Sequence, residues 1–563
     1  MTALQRDGPY PAADVPSDHE LTSGVAAARD SIRVGTWTAV SRISGVARVL
    51  LIAAVLGPTT LGNSFQLTNT LPNLIYYGFL AGSLCSSLLV PSLVGHLDRG
   101  DRLATARVSG GVLGLTLLVL VVLTPLAVVL VPQALRLAAL GQGGTPAVDQ
   151  ADFARLLIVL MIPQVYGYAV IGVSAAVMNA RHRFALTAAA PAIENCALIA
   201  VLVLVWTVYG TGDHAGAVPQ SELLLLGLGS TAAVAIHAAV QFWGARRSRV
   251  SLRPLPGWRD AEVRGVVRRA IPAIAQSGLV ALQVLTLLLI AVRIPGGTVA
   301  MQIALNFYAL PIAVAATPVA LSLLPRLSRL HQGDREGAFT DTFIRGTGLV
   351  LFITVPAACG YAVLARPIAD VVAVGSMDTE TATGLVAAAL ASVSAGIVGQ
   401  SVFFLATQAS YSRKDAVPPL LAMAVQATIC LAVGSLSFGF DGTSTLVVLG
   451  SAYSLANLLG SVLLVTWLHR RLSPGSERLM PSVVRTLVGS VALSICAALT
   501  AAALSGADSG RAREVVVLIC ACLVGLVVFA VAQRLMRAPE LSWIGATLRG
   551  RSRPPSSRLD AGA

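Results

Sequence analysis

Fourteen runs of apolar residues, each long enough to cross a bilayer, divide this 563-residue chain. They lie near 36–56, 64–94, 108–132, 153–178, 185–209, 222–243, 266–292, 298–324, 344–365, 381–410, 417–438, 443–468, 481–505 and 514–536. A helix of about 20 apolar residues spans a hydrocarbon core ~30 Å thick, so each run reads as a membrane helix. The chain is therefore expected to be an all-α polytopic membrane protein. Only 12% of its residues are charged, 55% are hydrophobic, and the mean hydropathy is +0.77. A soluble domain carries about 25% charged residues.

The net charge of +13 suggests nucleic acid at first, but its distribution excludes that partner. Of the 40 lysines and arginines, 32 fall in connections and tails assigned to one face, 6 on the other, and 2 lie inside the first run. Clusters such as Arg99, Arg102 and Arg107, or Arg246 through Arg269, alternate with arginine-poor turns such as Gly57-Pro58-Thr59-Thr60. This asymmetry follows the positive-inside rule and puts both termini in the cytoplasm of a cell whose inner (plasma) membrane holds the chain. The polar first 33 residues have no apolar h-region, so the first span is expected to act as its own insertion signal.

An internal repeat divides the spans. Val90-Pro91-Ser92-Leu93 with Arg99-Gly100-Asp101-Arg102 corresponds to Leu324-Pro325-Arg326-Leu327 with Gln332-Gly333-Asp334-Arg335, an offset of 233 or 234 residues. Asn179 through Arg183 matches Tyr411 through Asp415 at a similar distance. Six spans separate the copies, so two six-helix lobes of like orientation are expected, with a substrate path between them near the midplane. The expected organisation is a disordered cytoplasmic tail over 1–35, a first lobe over 36–245, a cytoplasmic linker over 246–265 and a second lobe over 266–470. Two further helices follow over 471–537, then a disordered basic tail over 538–563. The linker reads equally as a plain charged connection or as a segment lying on anionic headgroups.

The residues that carry chemistry sit inside the spans. From a helix start at Thr36, Arg42 is ~9 Å and Arg48 ~18 Å deep, at 1.5 Å per residue. Arg42 can snorkel to the interface or face a cavity; Arg48 is too deep to snorkel and is expected to face a cavity or a partner. A cationic cavity implies an anionic cargo. Glu194, about ten residues into the fifth span, is either the counter-ion of an intramembrane arginine or a protonatable coupling group. Proline and glycine interrupt the same region: Gly45 between the arginines, Pro72, Pro163, Pro191, Pro272, and Pro311 with Pro318. With Gln66, Asn69, Asn73, Gln276, Gln283, Gln302 and Asn306, they mark spans 1, 2, 7 and 8 as the cavity wall, against ordinary interhelical hydrogen bonding.

No P-loop, His-Glu-x-x-His or Gly-x-Ser-x-Gly motif occurs, so neither an enzyme nor a nucleotide-driven pump is expected. The seven cysteines all lie in apolar runs and read as small core residues; no cofactor and no metal site is expected.

Ser41-Arg42 through Arg48, then Leu71-Pro72-Asn73-Leu74 and Leu89-Val90-Pro91-Ser92-Leu93, resemble the MurJ/MviN family of lipid II flippases, within the MATE-like (MOP) exporter superfamily. Ile271-Pro272-Ala273-Ile274, Leu323 through Ser328 and the fourteen-span count extend the likeness over about residues 36 to 536. The resemblance implies a lipid-linked diphosphate cargo held in a cationic cavity, a polyprenyl tail in a groove of spans 13 and 14, and work in peptidoglycan biosynthesis. It implies membrane lipids as partners and a monomeric flippase working by alternating access. The implied substrate-binding residues are Arg42, Arg48, Asn63, Asn73, Tyr77 and Asn306. Where the family carries charge, this chain has Asn63, Tyr76-Tyr77 and Asn306. Those neutral positions keep open an exporter of another lipid-linked glycan or amphipathic compound, or a non-transporting scaffold for wall synthesis.

Overall fold

The computed structural model describes residues 18–75, 89–138, 146–181, 183–211, 218–248, 250–505 and 510–541. All regular structure among them is helical. The helices are α1 (Asp18–Leu56), α2 (Thr60–Ile75), α3 (Val90–Asp98), α4 (Arg102–Ala138), α5 (Pro146–Ala180), α6 (Phe184–Tyr209), α7 (Gln220–Arg247), α8 (Ala261–Ala291) and α9 (Gly297–Pro311). They continue with α10 (Thr317–Gln332), α11 (Glu336–Val363), α12 (Ala365–Val372), α13 (Glu380–Ser394), α14 (Gly396–Ser412), α15 (Val417–Gly434), α16 (Thr443–His469), α17 (Leu479–Leu504) and α18 (Arg511–Leu535). Twelve spans among the described residues are long and apolar enough to cross a membrane, thirteen with the bent pair α13–α14 taken as one. The expected second span, 64–94, includes residues 76–88, which lie outside the described set.

Several elements differ from the sequence reading. Helix α1 starts at Asp18, before the apolar run, and takes in 18–35 of the stretch expected to be an irregular tail. Ala26-Ala27-Ala28, strong helix formers, lie within that extension. Pro163 and Pro191 do not split their spans, since α5 and α6 run through them. One turn before Pro163, the Leu160 carbonyl accepts from Thr231 Oγ1 at 2.8 Å, so a neighbouring helix takes up backbone polarity that a proline disturbs. Pro72 and Pro272 also lie within continuous helices. Pro311 and Pro318, by contrast, bracket a turn of π-helix over Ile312–Ala316 that joins α9 to α10. The run 381–410 bends by 41° between α13 and α14 without a proline. There Gly396 N–H donates to Ser454 Oγ of α16, and a Cβ on Gly396 would sit 3.0 Å from the Ser454 backbone.

The repeat is visible in the turns. Asp101 N–H donates to His96 O, Arg183 to Met178 O, Arg335 to Leu330 O and Asp415 to Ser410 O, each closing a helix end five residues back. Gly100, Asp334 and Lys414 take the left-handed conformation that such a cap requires. The expected linker is docked rather than free: Leu255 N–H donates to Gly110 O of α4, and side chains at Gly110 or Gly114 would strike the Arg253 and Leu255 carbonyls.

Packing falls into two sets, α1–α7 and α8–α16, with α17 and α18 paired against α11 and α12. At the arginine-poor end the sets are fastened together. Asn63 Nδ2 of α2 donates to Ile294 O at 2.7 Å, and its Oδ1 accepts from Thr298 N–H at 3.2 Å. Beside this, Gly296 has φ +75° and lies so close to Pro58 that a Cβ would come within 2.5 Å of it.

Candidate functional site

Between the two sets, toward the arginine-rich end, lies a cavity of about 540 Å³. Helix α1 lines it with Thr38, Ser41, Arg42, Gly45 and Arg48; α2 with Gln66, Asn69, Thr70 and Asn73; α6 with Thr187, Pro191, Glu194 and Asn195. The other set contributes Val284 of α8, Gln302, Leu305 and Asn306 of α9, and Tyr453 of α16. The cavity stops where α1 enters the core at Val49, Ile52 and Ala53, and the Asn63 fastening lies beyond.

Each side chain owes its place to its helix. Arg42 and Arg48 are six residues apart on α1, and the turn between them is held by Asn195 of α6. Asn195 Nδ2 donates to Ser44 Oγ at 3.0 Å and to Ser41 O at 3.2 Å. Arg42 is exposed on this wall. Arg48 is largely enclosed, with Nη1 3.9 Å from Glu194 Oε1. That separation is too long for a hydrogen bond, and Arg48 Nε has no partner among the described residues. That donor is buried behind the cavity wall and is not satisfied by protein.

Glu194 is the one carboxylate among the described residues that line the cavity. His237 Nδ1 of α7 lies 2.6 Å from its Oε2, and the Tyr168 hydroxyl of α5 lies 2.8 Å from its Oε1. The same hydroxyl lies 2.8 Å from Asn73 Oδ1. Asn73 and Asn306 each donate from Nδ2 to the carbonyl four residues back, to Asn69 and Gln302. Gln66 Oε1 and Gln302 Oε1, on opposite walls, are buried and have no partner among the described residues.

Of the residues marked by sequence, Arg42, Arg48, Asn73, Asn306 and Glu194 meet at this one cavity. Asn63 does not: it is buried at the arginine-poor end with its amide spent on backbone groups of the 292–298 turn. Tyr77 lies outside the described residues. Sequence reasoning missed His237, Tyr168 and Gln241. An ionisable residue within an apolar span was signal enough for His237, by the rule that picked out Glu194.

A family model described as lipid II flippase MurJ matches residues 52–524. A probable lipid II flippase MurJ of Vibrio cholerae is 26% identical over 80% of this chain and 84% of its own length. One from Rhizobium tropici is 25% identical over 78% and 80%. Among solved structures, a lipid II flippase MurJ in an inward closed conformation superposes with a TM-score of 0.69 at 16% identity, covering 89% of this chain and 99% of that one. An inward-facing multidrug resistance MATE family transporter of the MOP superfamily reaches 0.60 at 10% identity, over 77% and 94%. At these identities the structural matches speak for the fold alone.

Proposed function

The chain belongs to the lipid II flippase MurJ family, and on that premise we propose that it carries lipid II from the inner to the outer leaflet by alternating access between two six-helix lobes. The observation that carries the proposal is the inter-lobe cavity with Arg42 and Arg48 on its wall and no protein hydrogen bond at Arg48 Nε. A diphosphate can take two parallel charge-assisted hydrogen bonds from a guanidinium, which are roughly twice as strong as neutral ones.

With the arginine-rich face in the cytoplasm, the cavity opens inward and the Asn63 fastening closes the outer end. The headgroup enters while its polyprenyl chain stays in lipid. The lobes then rock about the occupied site, the fastening parts and the cargo leaves. A membrane potential, worth ~2.3 kcal/mol per charge per 100 mV, favours the inward return of an empty cationic cavity.

Asn306, a neutral residue in the wall, favours a second reading in which the lipid-linked anion carries a different headgroup. Expression in a cell depleted of its own lipid II flippase separates the two. Rescue of growth supports lipid II. Failure to rescue by protein that reaches the membrane and binds undecaprenyl diphosphate supports the second reading.

A further inference from the structure

Two hydrogen-bond counts around Glu194 do not close, and a proton bound at either end of the Glu194–His237 pair closes one of them. The Tyr168 hydroxyl lies 2.8 Å from both Asn73 Oδ1 and Glu194 Oε1, yet a phenol has one hydrogen to donate. If Glu194 is a carboxylic acid, it donates to Tyr168, which then donates to Asn73. On the far side, Gln241 Nε2 lies 3.4 Å from His237 Nε2; in that amide orientation the ring nitrogen accepts and the ring hydrogen sits on Nδ1, facing Glu194. Gln241 is 1% exposed, and its Oε1 has no partner among the described residues. Turning that amide by half a rotation would present Oε1 to a hydrogen on His237 Nε2. The pocket thus has hydrogen-bonding places for a proton at both ends of the Glu194–His237 pair.

We propose that Glu194 and His237 form a buried proton-binding site whose loading releases Arg48 to the diphosphate of the cargo. The groups that face the pair are Arg48 of α1 at 3.9 Å, Tyr168 of α5 at 2.8 Å and the neutral amides of Asn73 and Gln241. Without the proton, Glu194 is an anion and the nearest compensation for Arg48. With it, the negative charge is cancelled, and Arg48 faces the cavity as an uncompensated cation. Acid therefore strengthens anion binding, and by linkage anion binding takes up a proton. The inference rests on the reading that Arg48 meets a diphosphate, and it adds a ligand, the proton, which that reading does not require.

The test uses the full chain in lipid nanodiscs with undecaprenyl diphosphate as probe, between about pH 5 and pH 8. Wild-type affinity should tighten as pH falls, by up to about tenfold per unit for one linked proton. Calorimetry in buffers of different ionisation heat should report about one proton taken up on binding. Glu194→Gln should bind tightly and keep only the pH dependence of the probe's own terminal phosphate, and Gln241→Met should move the midpoint of the remaining dependence to lower pH while keeping its slope. A merely structural role would weaken binding equally at every pH. A flat wild-type curve, or Glu194→Gln tracking wild type, overturns the site. Should the probe bind neither wild type nor Glu194→Gln at any pH, the diphosphate reading fails. The proton site is then decided by infrared titration of the cargo-free chain, which must show a carboxyl or imidazole protonation absent from His237→Gln.

Discussion

Arg48 concentrates the chemistry of the molecule in one side chain. A guanidinium at that depth is costly unless a charge or water meets it, and here Glu194 supplies the charge at 3.9 Å without hydrogen-bonding it. Arg48→Ala should abolish transport in a leaflet assay while membrane expression stays near wild type. Arg48→Lys should rescue partly, because an ammonium lacks the planar fork. Asn306→Arg should tighten undecaprenyl diphosphate binding by about tenfold or more, since a hydrogen bond to a charged group contributes roughly 1.5–3 kcal/mol; unchanged affinity would mean that position 306 does not reach the diphosphate. Arg48 and Glu194 were legible in the sequence because a charge within an apolar span has few structural excuses. Asn63 was legible as polar but not as a fastening. Its partners are the carbonyl of Ile294 and the N–H of Thr298, and backbone groups leave no signature in side-chain identity.

At the scale of elements, the two helix sets are fastened at the arginine-poor end, and at the arginine-rich end they meet where the start of α8 packs on α4 and Glu262 pairs with His96 and Arg107. The contacts of α2 with the 292–298 turn replace water at the arginine-poor end, and a net hydrogen bond contributes about 1 kcal/mol. Asn63→Leu removes both amide contacts, so the closed outer end should lose roughly 2–4 kcal/mol relative to its open alternative, counting the orphaned backbone groups. A single cysteine in place of Pro58 in that background should label more from the outside. Span positions were readable because twenty apolar residues have one use in a bilayer. Breaks were not: whether a proline bends its helix depends on neighbours such as Thr231, which donates to the Leu160 carbonyl in the turn before Pro163. The bend at Gly396 comes from a close approach to Ser454, which no local pattern encodes.

For the whole molecule, the caps at Asp101, Arg183, Arg335 and Asp415 form the same turn at four helix ends, two in each half of the chain. Reporter fusions at Gly257 and Gly475 should report cytoplasm, and at Gly442 the exterior; a reversed pattern would turn the cavity outward and invert the transport direction. What the sequence could not disclose at this scale was that the cavity lies toward one face. That asymmetry arises from the long-range fastening, not from any run of residues.

The most direct measurement is the sidedness of lipid II in the native host after depletion of this protein. The account predicts that the precursor accumulates in the inner leaflet and becomes inaccessible to an external lipid II-cleaving probe, and that re-expressed wild type, but not Arg48→Ala, restores access. Normal external access during depletion, with wall synthesis unaffected, would contradict it.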